Sequence, residues 1–201
     1  TTVEGLAEAL AGEGVTAQPH PWLADCLILS KTGNLERLAA FRDGLFYVQD
    51  PASKLAALAL DPKPDMRVLD CCAAPGGKSF ACAIRMEGRG EVISCDLHPH
   101  KKKLIQAGAD RLGLENITPM TADGKAFRPE WESAFDRVLV DAPCSGLGVI
   151  RKKPDIRYKD PGPLADLPQV QRAILDNAAR YVKPGGVLVY STCTLLRREN
   201  E

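Results

Sequence analysis

Two cysteines stand where chemistry could begin. Cys144 lies in DAPCSG (141–146), directly after the apolar run RVLV, and Cys193 lies in YSTCT, after VLV. Each thiol could be a nucleophile, a metal ligand or a small buried residue. Seven cysteines without a CxxC pair, and three histidines, give no metal-ligand spacing, so no metal is expected. A free thiol with a pKa near ~8.5 is only a few per cent ionised at neutral pH. A cysteine nucleophile therefore needs a site that favours the thiolate or removes its proton. Cys26, Cys71, Cys82 and Cys95 read as buried hydrophobes, and packing is the better reading for Cys72 too.

The stretch DCCAAPGGKS (70–79) follows the apolar run VL and precedes a helical pattern. The first strand-to-helix turn is where open α/β sheets bind ligands. A P-loop would need glycine where Cys72 stands, and Pro75 removes an amide from the cradle. A dinucleotide fingerprint needs three spaced glycines, and only Gly76 and Gly77 are present. A cofactor bound there by a carboxylate fits better, because free amides at a helix N-terminus favour negative charge. S-adenosylmethionine is such a cofactor. Asp70, Asp96, Asp123 and Asp141 then close or follow successive apolar runs. One such acid alone reads as a cap or turn residue, but four in register suggest a crevice. Asp96 could accept from ribose hydroxyls and Asp123 from an adenine amino group.

A methyl donor beside two thiols suits one reaction. C5 of a pyrimidine is a poor nucleophile until a thiolate adds to C6. The C5 proton must later leave, so a second basic group is useful. A partly protonated Asp141 could hold the base near N3, assisted by Lys78. The spacing leaves open which cysteine attacks.

The elements that would carry these residues alternate. Strands are expected at 67–70, 91–96, 117–121, 137–141 and 187–191, with helices at about 78–86 and 99–112. Val170, Ile174, Ala178 and Val182 mark one face of a further helix that Lys183-Pro-Gly-Gly should end. This is a doubly wound, mostly parallel α/β sheet. Residues 1–50 differ: a helix around Leu6 to Leu10, a strand over 25–30, a helix capped by Asn34, a strand over 45–48. That is a small α+β piece of a larger N-terminal domain, and 51–201 is the catalytic domain. With 45% hydrophobic and 26% charged residues the chain suits a globular domain. Neither a membrane span nor a signal peptide is visible, and free thiols suit a cytoplasmic protein. The net charge is zero, yet cations cluster at Lys101-Lys102-Lys103, at Arg197-Arg198, and at Arg151-Lys152-Lys153 with Arg157 and Lys159. The proline-rich loop 151–168 is of a length that is usually functional or mobile, and its Arg151, Lys152, Lys153 and Arg157 form a local patch that suits nucleic acid.

CCAAPGGKS, DAPCSGLGVIRKKPDIR and YSTCT together resemble the motifs of the Nop/Sun family of RNA cytosine-5 methyltransferases. The likeness runs over about residues 15–201 and is greatest to the Sun (Fmu) type, which acts on 16S ribosomal RNA. It implies a Rossmann-like class I methyltransferase fold with S-adenosylmethionine as cofactor. RNA would be the partner, 16S before transfer or 23S RNA, and the protein a monomer. It further implies that Cys72, Ala73, Ala74, Pro75, Gly76, Gly77 and Lys78 line the methionine end of the cofactor. By the same likeness Asp96 takes the ribose and Asp123 lies beside adenine. Asp141 lies near cofactor and base, and Lys101 stands where the family often has arginine. Cys193 would be the nucleophile and Cys144 the thiol that assists product release. The family also carries a helical domain before the position of Thr1 and two strands after the Asn-Glu motif, which implies a fragment.

Overall fold

A computed structural model describes residues 1–158, 160 and 162–201, so Lys159 lies outside the described residues. The alternating pattern of the sequence becomes five parallel strands: β3 (Arg67–Asp70), β4 (Glu91–Asp96), β5 (Ile117–Thr121), β6 (Phe135–Asp141) and β7 (Val182–Ser191). Their spatial order is β5-β4-β3-β6-β7. The order reverses between β3 and β6, and the carboxyl ends of those two strands flank the switch-point crevice where such sheets bind ligands.

Period-two alternation assigns each strand residue to a face. Val68 and Leu139 turn toward α3 (Pro51–Leu60), α4 (Gly77–Arg85) and α5 (Pro99–Leu112). Leu69, Val138 and Val140 turn the other way, toward Ile174, Ala178 and Tyr181 of α6 (Leu167–Tyr181). The sheet is thus covered on both faces, as parallel sheets require. Phe135, Leu69 and Leu139 are fully buried, and each such side chain stabilises the fold by about 1.5–3 kcal/mol. Asp50 caps α3 by accepting from the Ala52 amide, with Pro51 in the first turn. Gly113 ends α5 in the left-handed conformation.

The expected helix and strand positions in residues 51–201 hold to within about two residues except at β7, which begins five residues before the expected 187. Val182 belongs to β7, not to the face of α6. Phe135 pairs with Val182 and Arg137 with Val187, so 183–186 bulge opposite Asp136 alone. Lys183 bridges that bulge with an ion pair to Asp136 at 2.8 Å.

The N-terminal stretch needs larger corrections. Helix α1 (Val3–Gly12) is present, and the strand expected over 25–30 is β2 (Leu27–Ser30). Its partner is β1 (Thr16–Pro19), antiparallel, and not 45–48. Residues 45–48 form no strand: the Arg111 guanidinium takes the carbonyls of Phe41 and Phe46 at 2.6 and 3.0 Å, so a side chain replaces a ladder. Asn34 caps only a 3-10 turn, Leu35–Arg37, because Leu38 is extended. The separate α2 (Ala39–Arg42) follows, and Glu13 accepts from the Ala39 and Ala40 amides. Leu10, Val15, Leu38 and Ala40 form a small core of their own. Lys54 of α3 ties this unit to the sheet layer through Asp25, at 2.6 Å.

Candidate active site

The turn after β3 is held from within. Ala73 N–H donates to the Cys95 carbonyl and Gly76 N–H to the Ala73 carbonyl, both at 2.7 Å. Gly76 sits at φ +114°, where a Cβ would lie 2.4 Å from the Phe80 ring, so only glycine fits there. A cleft of about 180 Å³ opens beside the turn, bordered by Gln49, Asp50, Asp70, Cys72, Lys78 and Asp141. Two polar atoms buried at its wall lack partners: Gln49 Nε2, a donor, and Asp70 Oδ1, an acceptor. Buried orphans of this kind are uncommon and call for a reason. A ligand carrying both a carboxylate and an ammonium, as the amino-acid end of S-adenosylmethionine does, would satisfy both. Cys72, Ala73, Ala74, Pro75, Gly77 and Lys78 also border this cleft, so these residues fit the cofactor. Burial, helped by the Asp141 charge, outweighs the Ser79 hydroxyl bond at 2.8 Å, the Lys78 charge and the Cys72 amide, and pushes the Asp70 carboxyl up to about 7. Asp70 is read from the sequence only as one of four strand-end acids facing a crevice, and Gln49 is not singled out at all.

The other acids lie at the expected strand ends. Asp96 is buried, accepts from the His98 amide at 3.1 Å and faces Lys101 at 3.6 Å. Asp123 closes an Asx turn onto the Lys125 amide and keeps its carboxylate half-exposed. Asp141 uses both oxygens: one accepts from Lys78 Nζ at 2.6 Å, the other from Ser191 Oγ at 2.7 Å.

Cys144 and Cys193 meet. Their sulfurs are 3.2 Å apart, and the Cys193 amide donates to Cys144 Sγ at 3.3 Å. Hydrogen bonds from the Cys193 thiol, the Cys193 amide and the Gly146 amide outweigh burial and bring Cys144 down to about 6. Cys193 is pushed up, first because its thiol donates to Cys144, then by burial and by Asp141, with Lys153 opposing. The two sulfurs thus share one hydrogen bond in which either can donate, and the Cys193 amide beside it favours a thiolate at Cys144. A nucleophile hydrogen-bonded to its base is the arrangement that covalent catalysis requires. Behind the pair stands a buried carboxylate that no motif points to: Glu199 accepts from the Ser145 amide and from Gln171 Nε2, both at 2.9 Å.

The loop over 151–158 runs along the rim of this site. Arg151, Lys152, Lys153 and Arg157 are all exposed. Lys152 forms an ion pair with Asp50, which anchors the loop to the α3 cap. Among the described residues no three His, Cys, Asp or Glu side chains gather as a metal site, and no helix is long and apolar enough to cross a membrane.

A family model described as 16S rRNA methyltransferase RsmB/F matches residues 57–201. The chain is 48% identical to a probable ribosomal RNA small subunit methyltransferase B of Bacillus subtilis, over 98% of this chain and 44% of the relative. The crystal structure of PH0851 superposes with a TM-score of 0.93 at 34% identity, covering 99% of this chain and 45% of that one. NSun6 of Pyrococcus horikoshii, solved with the S-adenosylmethionine analogue SFG, matches at TM-score 0.73 and 34% identity. That match covers 83% of this chain and 42% of the other. The chain spans less than half the length of the curated relatives it matches.

Proposed function

Because the chain belongs to the 16S rRNA methyltransferase RsmB/F family, we propose that the protein methylates C5 of a cytosine in 16S ribosomal RNA through a covalent Cys193 adduct. The observation that carries this is the 3.2 Å thiol pair at the ends of β6 and β7, beside the Lys78–Asp141 ion pair. S-adenosylmethionine, held by Cys72 to Lys78, Asp96, Asp123 and Asp141 with Lys101 at the edge, supplies an electrophilic methyl group.

Cys193 gives its proton to the Cys144 thiolate as its sulfur adds to C6. The Lys78 ammonium offsets charge that builds on the ring toward N3, and Asp141, anchored by Ser191, holds Lys78 in place. Cys144 passes its proton to water and is then free to take the C5 proton once C5 is methylated. The electrons of that C–H bond restore the ring double bond and expel Cys193 as a thiolate. Each thiol so acts twice, which suits the low Cys144 value and the exposed Cys193. Residues 51–201 form the catalytic unit and residues 1–50 an RNA-facing subdomain, with Arg151, Lys152, Lys153 and Arg157 on the RNA path. Both cysteines come from one chain, so a monomer suffices, working in the cytoplasm.

RNA carrying 5-fluorocytidine tests this, because fluorine at C5 cannot leave as a proton does. A covalent protein–RNA adduct should accumulate with the intact protein and vanish in Cys193→Ala. Loss of the adduct in Cys144→Ala with retention in Cys193→Ala would reverse the roles.

A further inference from the structure

The Cys144 and Cys193 loops come from different strands, and 3.2 Å between their sulfurs needs something to fix it. Hydrogen bonds do so. Glu199 is buried, and its Oε2 accepts from the amide of Ser145, the residue after Cys144. Its Oε1 faces the hydroxyl of Thr194, the residue after Cys193, at 3.5 Å. Ser145 and Thr194 hydroxyls are themselves 2.7 Å apart. Gln171 of α6 donates to Glu199 Oε2 and also to the carbonyl of Pro143, the residue before Cys144. Tyr190 on β7 fixes the backbone by donating to the Glu199 carbonyl at 2.9 Å. One carboxylate thus ties both cysteine loops, a helix and a strand.

We infer that Glu199 is a positioning residue that sets the distance between the two thiols, with Gln171 as its second anchor. It rests on Cys144 and Cys193 being the working thiols of the proposed reaction. Burial raises the Glu199 carboxyl, and hydrogen bonds from Ser145 and Gln171 outweigh that, so it acts as a carboxylate. The role is geometric, and its sign separates it from plain electrostatics. The Glu199 charge by itself raises Cys144. Removing the charge alone would lower the thiol pKa further; removing the clamp would raise it, because the Cys193 donors move away. Cys193, Glu199 and Tyr190 act on Cys144, while Asp141 and Lys153 act on Cys193.

The test is alkylation of Cys144 against pH in the intact protein, read by mass spectrometry. Glu199→Ala should raise the Cys144 pKa by a unit or more, read as a shift of the midpoint of its labelling-against-pH curve, with its thiolate fraction at pH 6.5 falling roughly threefold or more. Glu199→Gln should hold the Cys144 pKa at or slightly below that of the parent protein: its amide oxygen can accept from Ser145 and Gln171, its NH₂ can face Thr194, and only the charge is lost. An unchanged or lowered Cys144 pKa in Glu199→Ala overturns the inference. If Glu199→Ala does not fold, Gln171→Met should show a smaller rise, and no rise there overturns it equally. These readouts need neither RNA nor cofactor. A protein that shows the shifts but forms no 5-fluorocytidine adduct would defeat the proposed function and leave the clamp standing.

Discussion

Cys71 and Cys72 follow β3 and lie beside Cys95 of β4; Cys144 and Cys193 follow β6 and β7. Both groups sit at carboxyl ends of one sheet, yet their protons are held in opposite ways. Burial pushes Cys71 and Cys72 up and brings Cys95 to about 12, and the Asp70 charge adds to each. Nothing near those thiols donates strongly enough to reverse that. Cys144 is no better solvated than a half-buried residue, but amides and a thiol donate to its sulfur, and it falls to about 6. Position at a strand end therefore does not make a cysteine reactive; N–H and S–H donors aimed at the sulfur do.

The largest break in that contrast is Cys193→Ala. It removes both the proposed nucleophile and the main donor to Cys144. RNA methylation should fall roughly 10⁴-fold or more, as for other lost covalent nucleophiles. The Cys144 pKa should rise at the same time, measured by pH-dependent alkylation. Turnover above a tenth of the parent rate would reject Cys193 as the attacking group.

The dry end has its own test in Asp70. Its folded pKa, about 7, is raised above the unfolded value of 3.8. Its contribution to stability is thus fully present below about pH 4 and is lost as the pH rises through 7. Asp70→Asn keeps the Ser79 bond and never ionises. It should leave thermal stability near pH 4 almost unchanged and increase it at pH 8 by about 2–4 kcal/mol. Calorimetry at the two pH values decides it; equal gains at both would show that Asp70 is ionised in the fold. The same variant should weaken S-adenosylmethionine binding, because the ammonium loses its carboxylate.

How much of this could be read from residues alone follows from where the signals lie. The strand ends Asp70, Asp96 and Asp141 were legible because apolar runs of fixed length precede them. β1 was not, because TAQP holds one strong strand former and a proline, and its pairing comes from the chain folding back. Gln49 and Glu199 stood outside the motifs' assignments for a similar reason. A polar residue declares no purpose until packing removes its water and leaves a partner or an orphan atom beside it. Ser145 and Glu199 are 54 residues apart in sequence, and no local period could join them. The two thiols were legible as one reactive pair from their places after apolar runs; the 3.2 Å contact between their sulfurs was not.

A smaller effect sharpens the contrast at the wet end: alkylation of the parent protein. At pH 6.5 the Cys144 thiol should be ionised roughly 75-fold more than one of ordinary pKa near ~8.5 and, with roughly tenfold lost to its weaker basicity, should be alkylated several-fold faster. Cys71, Cys82 and Cys95 should stay unlabelled until the protein unfolds. Early labelling of Cys71 or Cys95 would mean that the two ends are not so different in access.

The smallest effect concerns the rim proposed to lead RNA to the open end. Each cation that neutralises a phosphate steepens the salt dependence of binding, by about 0.7 in log–log slope for single strands. Arg151 and Lys152 are adjacent and both exposed, but Lys152 is already paired with Asp50. A lysine that must leave a carboxylate to meet a phosphate releases less on binding. Arg151→Ala should flatten the slope by about 0.7, and Lys152→Ala by distinctly less. The double variant Lys152→Ala/Asp50→Asn should match Lys152→Ala in slope, while Asp50→Asn alone should steepen it by freeing Lys152. Asp50 also caps α3, and asparagine caps as well as aspartate, so that variant leaves the helix in place. Equal slopes for Arg151→Ala and Lys152→Ala would mean that the ion pair opens without cost in the complex, and no change in either would take the loop off the RNA path.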